Sequence, residues 1–284
     1  MIVITGATGQ LGRLVISSLL ARTAAANIAV AVRSVDKAAD LAALGVQVRQ
    51  ADYDDAASLD AAFRGASKIL LISSNDIGRR AQQHQNVIDA ARRTGVALLA
   101  YTSVLRADTS VLGLAGEHRA TEAAIRASGL PFTLLRNGWY LENYSEHLQA
   151  VLAHGVVMGC AKDGRVAAAA RADYAAAAAA VLLSAEAPAQ VYELAGEQAF
   201  TMTELAAEVA RQSGRAVSYQ DMAQQEYKAA LIGVGVPEGF ADLLADSDAG
   251  LAQGALDGSG AVLRALIGRP TTTLAQAVQV ALGK

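Results

Sequence analysis

Short runs of β-branched and leucine residues alternate with helix-length segments through the first two thirds of the chain. The strand candidates are Ile2–Thr5, Ile28–Arg33, Val46–Ala51, Lys68–Ser73, Ala97–Ser103 and Phe132–Asn137. Between them, Ala56–Arg64, Arg79–Thr94 and Glu117–Ser128 have the length and spacing of helices. Continuous apolar strands separated by helices predict a parallel sheet covered on both faces. Gly45, Gly95 and Gly129 each fall just past a helical stretch, as C-cap glycines do.

After Asn137 the texture changes. Trp139, Tyr140 and Tyr144 cluster closely, followed by a helix and the glycine-broken segment Gly155–Gly164. A helix over Asp173–Ser184 and a strand over Gln190–Ala195 are expected to rejoin the main sheet. From Thr201 onward the pattern reads as helical and turn-rich, broken sharply at Val236-Pro237-Glu238-Gly239. The expected organisation is an α/β, Rossmann-type doubly wound parallel sheet over residues 1–138, rejoined by 165–195. Residues 139–164 and 196–284 make a smaller, mostly helical substrate-binding part.

The first strand runs into Gly6-Ala7-Thr8-Gly9-Gln10-Leu11-Gly12 and then a helix with Leu11, Val15, Leu19 and Leu20 on its apolar face. Strand, glycine turn and helix in that order place backbone N–H groups and the positive end of a helix dipole where a pyrophosphate can sit. The spacing is G-x-x-G-x-x-G rather than G-x-G-x-x-G, and its place in the chain points to a dinucleotide site. Arg33 ends the second strand, where NAD-selective domains usually carry an acid for the ribose 2′-hydroxyl. A guanidinium there can instead grip a 2′-phosphate, so NADPH is preferred over NADH, with Lys37 as a second positive charge. Asp52 and Tyr53 end the third strand, where they can border an adenine or form an ordinary polar turn. Ser73, Ser74 and Asn75 close the fourth strand and can line the route to a nicotinamide.

Composition narrows the classes. The chain has 284 residues and a net charge of −3, which gives no general attraction to nucleic acid. One cysteine, Cys160, permits no intrachain disulfide or thiol metal cluster and suits a small core position. The histidines show no metal-ligand spacing, so no metal is expected. No apolar run reaches membrane-spanning length, and no basic leader precedes the first strand, so a cytoplasmic setting without membrane insertion is expected. Glu117 and Glu122 read as a charged helix face. The helix-rich surface leaves a homodimer open.

A reductase that makes alcohols wants a tyrosine and a lysine four residues apart, the ammonium easing proton release from the phenol. None of the eight tyrosines has lysine at that offset. An acceptor that takes hydride without strong prior protonation fits better, and quinones or similar planar acceptors qualify. No P-loop ending and no G-x-S-x-G elbow is present. Asn137 is a candidate for steadying a developing oxyanion, or for capping a strand end. Tyr140 or Tyr144 can donate a proton, and both, with Trp139, can wall a substrate pocket or simply pack.

The run Gly6–Gly12, then Arg33, Ala51-Asp52-Tyr53, Leu70–Ser74 and Ala100–Ser103 resembles the NmrA-like branch of atypical short-chain dehydrogenase/reductases. The likeness continues through Thr133–Tyr140, Arg171–Ala175, Ala245–Asp248 and Ile267–Leu274, nearly the whole chain. Within the branch it looks most like flavin-independent bacterial NAD(P)H:quinone oxidoreductases, with triphenylmethane-type dye reductases as a related group. The resemblance implies a Rossmann core, a small C-terminal domain and NADP(H) as cofactor, without flavin. Carried onto matching positions, it implies Gly6, Ala7, Thr8, Gly9, Gln10 and Leu11 at the pyrophosphate and Arg33 at the 2′-phosphate. Ser73, Ser74 and Asn75 would run beside the cofactor, and Asn137, Gly138, Trp139, Tyr140, Leu141 and Glu142 would pass its nicotinamide end. All-alanine Ala167–Ala170 departs from the hydroxyl side chains expected there. The branch also contains NAD(P)-sensing regulators without turnover, the competing reading. An isomerase acting on a nucleotide sugar would need the missing Tyr/Lys shuttle.

Overall fold

The structure, a computed structural model, describes residues 1–185 and 191–283. In chain order the first half runs β1 (Ile2–Thr5), α1 (Gln10–Leu20), β2 (Ile28–Val32), α2 (Ala39–Ala43), β3 (Gln47–Gln50), α3 (Ala56–Phe63), β4 (Lys68–Leu71), α4 (Arg80–Thr94), β5 (Leu98–Val104), α5 (Ala115–Ala127) and β6 (Phe132–Asn137). The second half runs α6 (Glu142–Ser145), α7 (Leu148–His154), β7 (Val156–Gly159), α8 (Arg171–Leu183), β8 (Val191–Leu194), α9 (Met202–Ser213), β9 (Ser218–Asp221), α10 (Gln224–Gly233), α11 (Glu238–Ala252), α12 (Ala261–Ile267) and α13 (Leu274–Ala281). The expected strand at Gln190–Ala195 is present as β8; its first residue, Gln190, lies outside the described residues.

The chain divides into two compact units. The first comprises Met1–Ala107, Glu117–Asn137 and Arg171–Glu193, and the second Asp108–Gly116, Gly138–Ala170 and Leu194–Lys284. The principal sheet has the order β3-β2-β1-β4-β5-β6-β8, and the pairings from β3 through β6 are parallel. Every residue of β1, β2 and β5 is buried, as the unbroken apolar runs require, while the edge strand β3 is partly exposed. Val3, Ile69, Leu71, Leu99 and Leu134 share a cluster with Leu59 and Phe63 of α3, Val87 and Ile88 of α4, and Ile125 of α5. Each such aliphatic side chain, fully buried, stabilises the fold by about 1.5–3 kcal/mol. α8 packs against α1, and its run of alanines lets the two helix backbones approach closely.

Strand order positions the site. From β1 the chain winds outward through β2 to β3, then returns to β4 on the other side of β1. A parallel sheet opens a crevice at the carboxyl ends of its strands where the winding reverses, here between β1 and β4.

One reading is corrected in the second unit and one in the first. The chain after Thr201 is not only helical and turn-rich: β9 pairs in parallel with β7, Val156 beside Ser218 and Gly159 beside Asp221. The polar, largely exposed sequence Ser218-Tyr219-Gln220-Asp221 carries no apolar alternation to announce a strand. Glu122 does not belong to a solvated charged face. It is buried, and Arg136 grips it through Nε at 2.9 Å and Nη2 at 2.6 Å, with Ser103 Oγ donating at 2.6 Å. Arg136 Nη1 also reaches Glu193 at 2.7 Å, joining β6 to β8. Breaking one side of a buried pair strands the other charge, at a cost of about 3–5 kcal/mol. Glu122→Ala is therefore expected to lower urea-unfolding stability by about 3 kcal/mol, with Glu193 keeping part of the guanidinium satisfied. The double variant Glu122→Leu/Arg136→Met is expected to lose clearly less than the sum of the single changes in the same measurement.

Candidate functional site

The β1–α1 turn is built on the absence of side chains. Gly6 has φ +60°, a conformation that L side chains rarely adopt, and Gly9 N–H donates to Gly6 O at 3.1 Å. A Cβ on Gly12 would lie 2.4 Å from Gly6 O and 2.7 Å from Ala7 Cα, so α1 sits directly on the strand end only because Gly12 has none. Gly9 caps α1 in extended geometry with no side-chain hydrogen bond, and the first turn carries no acidic residue. The leading N–H groups of a helix have no intrahelical partner. Here they and the positive dipole end are left for an anion. Ala7 is buried, Thr8 O accepts from Arg13 Nε at 3.3 Å, and Gln10 is exposed with Leu11 half-buried at the helix start.

Arg33 stands exposed just beyond the carboxyl end of β2. Among the described residues no hydrogen bond or ion pair holds its guanidinium. Asp52 and Tyr53 follow β3. Asp52 folds into a local turn, its N–H donating to Ser58 Oγ at 2.9 Å and its Oδ1 accepting from Asp54 N–H at 3.0 Å. The Tyr53 hydroxyl lies 2.5 Å from Thr5 Oγ1 and 3.2 Å from Ile72 O, tied to the ends of β1 and β4. Burial pushes that phenol well above its ordinary pKa. The polar end of Tyr53 is thus committed to the sheet.

Ser73, Ser74 and Asn75 follow β4. Ser73 N–H donates to Thr102 Oγ1 at 2.9 Å, and Ser74 is fastened to α4 through its backbone and hydroxyl. Asn75 is exposed. Asn137 ends β6 with its side chain buried; its backbone O accepts from Leu105 N–H at 2.8 Å. Its Oδ1 is buried without a hydrogen-bond partner among the described residues. A buried carboxamide oxygen left unsatisfied costs about 1–3 kcal/mol, which a ligand donor would recover. The side-chain oxygen therefore makes no strand-end cap among the described residues.

The remaining expected residues belong to the second unit. Gly138 N–H donates to Leu194 O at 2.7 Å, and the chain then pairs with the alanine stretch: Ala169 N–H to Trp139 O at 3.1 Å and Leu141 N–H to Ala169 O at 3.0 Å. Ala167 to Ala169 are buried, and Gly196 approaches Ala168 so closely that a Cβ there would meet its carbonyl oxygen at 2.0 Å. This packing explains alanine where hydroxyl side chains were expected: the stretch works through its backbone. Trp139 and Tyr140 are half-buried, and Glu142 opens α6 on a cavity of about 470 Å³ lined also by Leu148, Gln276 and Val280. The Tyr144 ring packs edge-on against Phe200 at 5.7 Å, and its hydroxyl is buried without a hydrogen-bond partner among the described residues.

Around Tyr144 lies an acidic and phenolic group of residues that the chain pattern did not reveal. Asp248 of α11 accepts from Cys160 N–H at 3.0 Å. Tyr219 donates to Asp221 Oδ1 at 2.9 Å and accepts from Ala161 N–H at 2.9 Å. Burial, with Asp248, Tyr227 and Tyr219 adding to it, holds the Tyr144 phenol well above its ordinary pKa. Burial raises Asp248 itself to about 6, opposed by the Cys160 N–H and helped by Asp221. Two further residues missed in the sequence tie the strands beside the crevice: Thr5, which ends β1, and Thr102, two residues before the end of β5.

A sequence model of the NmrA-like family matches residues 1–258. The chain belongs to this family. It is 55% identical over 278 residues to quinone oxidoreductase 2 of Escherichia coli (strain K12), covering 98% of this chain and 97% of that protein. Its structure matches that of the Escherichia coli NADPH-dependent quinone oxidoreductase QOR2 in complex with NADPH with a TM-score of 0.97, at 54% identity over 99% of this chain and 100% of that one. The Citrobacter sp. triphenylmethane reductase complexed with NADP(H) matches with a TM-score of 0.96, at 39% identity over 99% and 100% of the two chains. Among the described residues no helix is long and apolar enough to cross a membrane.

The Asp248 carboxyl gives a pH signature. A folded pKa near 6 against 3.8 unfolded means the folded protein holds a proton that the unfolded chain has released between those values. Stability contributed by this group therefore falls as pH rises through about 4 to 6. Asp248→Asn keeps an acceptor for Cys160 N–H and removes the charge. It is expected to raise Tm above pH 6, and the difference from wild type should shrink to nothing by pH 4 in parallel thermal melts.

Proposed function

We propose that this chain reduces quinones with NADPH by direct hydride transfer, without flavin or metal. The observation that carries this reading is the 55% identity to the Escherichia coli quinone oxidoreductase across 98% of the chain. It is joined to a β1–α1 turn made to receive phosphate, which fits the group on physical grounds. Gly6 makes the positive-φ turn, Gly12 lets α1 start directly on the strand end, and the uncapped start of α1 supplies N–H donors. In this reading Gly6 to Leu11 hold the pyrophosphate and Arg33 the 2′-phosphate, favouring NADPH over NADH. Asp52 and the ring of Tyr53 border the adenine, while Ser73 to Asn75 edge the route to the nicotinamide.

Bound NADPH supplies the hydride. What the protein adds is mainly placement, and orientation effects of this kind can contribute up to about 7–11 kcal/mol. Asn137 offers its orphaned carboxamide to the reacting end, and Gly138 to Glu142, which continue the chain directly from it, pass the same end. Trp139, Tyr140 and Tyr144 supply flat apolar surface for the quinone. Tyr144, held protonated at neutral pH, can give a hydrogen bond to a quinone oxygen. A triphenylmethane dye is a second acceptor that the same surfaces suit, given the likeness to the Citrobacter enzyme.

The test is the loss of NADPH absorbance at 340 nm with benzoquinone, naphthoquinone and a triphenylmethane dye, no flavin added. Turnover with the quinones is expected; saturable NADPH binding with no turnover on any acceptor would replace this reading with a nucleotide sensor. In the same assay Arg33→Glu should raise KM for NADPH about tenfold or more by loss of charge-assisted bonds, and leave KM for NADH nearly unchanged. Equal losses for both coenzymes would remove Arg33 from its role.

A further inference from the structure

The loop after β4 is held in place by a chain of buried side chains that the reaction does not touch. Ser74 alone is gripped by three residues of α4: its N–H donates to His84 Nε2 at 3.0 Å, its hydroxyl to Gln83 Oε1 at 2.7 Å, and its carbonyl accepts from Arg80 Nε. Four residues on, Gly78, with φ +89°, donates its N–H to Glu117 Oε1 at 2.9 Å. The two anchors converge. His84 Nδ1 lies 2.9 Å from Thr121 Oγ1, and Thr121 donates its own hydroxyl proton to Glu117 O at 2.9 Å. Both ends of the Ser74–Gly78 segment are thus tied to one turn of α5, at one end through a single imidazole.

This arrangement fixes the state of the ring. Ser74 N–H can only donate, so Nε2 must present a lone pair. The Thr121 proton is already spent on Glu117 O, so Nδ1 must carry the hydrogen. His84 is fully buried and therefore costly to ionise; burial, followed by the Arg80 charge, pushes its pKa down to about 4. A neutral imidazole with a donor on one side and an acceptor on the other satisfies both neighbours at once. With Ser74 consumed by these bonds, the Ser73 hydroxyl and the Asn75 amide remain uncommitted among the described residues.

We infer that His84 is a positioning residue for the coenzyme, an Nδ1–H imidazole that braces the Ser73–Asn75 edge and so sets how tightly NADPH is held. The inference rests on the NADPH reading above and assigns His84 no contact with coenzyme or quinone. Removing the ring's two bonds leaves the half-buried Ser74 N–H without its acceptor and Thr121 Oγ1 with only its own donation to Glu117 O, and relief comes from movement of the loop. The edge then has to be ordered at the expense of binding, while transfer within the bound complex is little affected.

Two variants of the full chain test this, His84→Phe and His84→Gln, compared with wild type by calorimetric NADPH titration and by steady-state kinetics with benzoquinone. His84→Phe is expected to raise both Kd and KM for NADPH about tenfold, the scale of one lost buried hydrogen bond. Its kcat and its KM for benzoquinone should stay close to wild type. Gln can accept through Oε1 and donate through Nε2, so His84→Gln is expected to recover part of the loss. A folded His84→Phe with wild-type Kd and KM for NADPH overturns the inference, as does a fall in kcat with KM unchanged. If His84→Phe does not fold, Thr121→Val decides: it removes the partner of Nδ1–H, frees the ring to change tautomer, and should raise KM for NADPH, whereas a wild-type KM overturns the proposal. Nitrogen-15 spectra of the wild-type imidazole should show the Nδ1–H tautomer; the Nε2–H form also overturns it. Wild-type protein that binds no NADPH at all would remove the functional reading itself, and this inference with it.

Discussion

The contact between Gly12 and the carbonyl of Gly6 is the constraint from which the rest follows. With no Cβ at position 12, α1 starts directly on the end of β1 and aims its amide-rich first turn at the crevice where the sheet winding reverses. Any side chain at this position would meet the Gly6 carbonyl and push the helix away from the strand end. The neighbouring strand end is equally close: a Cβ on Gly6 would meet Ile72 Cβ at 3.1 Å, so the β1 and β4 loops meet across the switch point. Thr5 Oγ1 joins the same two strands by donating to Leu70 O and accepting from Ile72 N–H, each at 3.2 Å. The β1 end of the crevice is therefore fixed by close backbone approach and by the short Thr5 side chain rather than by long flexible ones.

Rigidity further along the strand ends is achieved by different chemistry. Towards β5 and β6 the sheet carries buried polar networks. One is Arg136 with Glu122, Glu193 and Ser103; the other is His84 with Thr121 and Ser74. Such groups are expensive to bury unless every bond is made, and in both networks the donors and acceptors are matched almost one for one. Against that background the unsatisfied Oδ1 of Asn137 stands out: it ends the very strand from which Arg136 projects. That oxygen, like the Tyr144 hydroxyl, is a buried polar atom for which the described residues supply no partner.

Much of this was legible in the sequence, and the boundary of legibility has physical causes. Fully buried strands announce themselves as apolar runs, which is why β1 and β6 fall at their expected positions to the residue and β2, β3, β4 and β5 within one or two, while β7, in a stretch read only as glycine-broken, was missed. The glycine turn was legible because positive φ and close approach leave glycine as the only residue type that fits. β9 was not, since an exposed strand of polar residues pairs through its backbone and has no pattern to display. The charged-face reading of Glu122 failed because its partners, Arg136 and Glu193, lie on other elements, and a one-dimensional pattern cannot show a pairing made by tertiary packing. The same reason hid His84: its two bonds reach a loop ten residues back and a helix 37 residues on. Ser73 to Asn75 and Asn137 were found as site candidates because they end strands at the carboxyl edge, a rule of position. What holds them there was not visible.

The tyrosines bear on why the acceptor should be a quinone. Tyr53, Tyr101, Tyr144, Tyr219 and Tyr227 all have pKa values pushed upward, burial being the leading cause in each. That is the opposite of what reduction of a simple ketone wants. There a phenol must surrender its proton as the hydride arrives, and a nearby ammonium makes the surrender easier. No tyrosine has lysine four residues later, and the ammonium of Lys228, beside Tyr227 in the chain, is occupied with Asp242 at 2.6 Å and Glu238 at 3.4 Å. A protein with this set of phenols is poorly equipped for an acceptor that builds a localised alkoxide. It can serve one whose incoming charge spreads into an aromatic ring, since the oxygen then needs a hydrogen bond more than a proton, and protonation can follow from water.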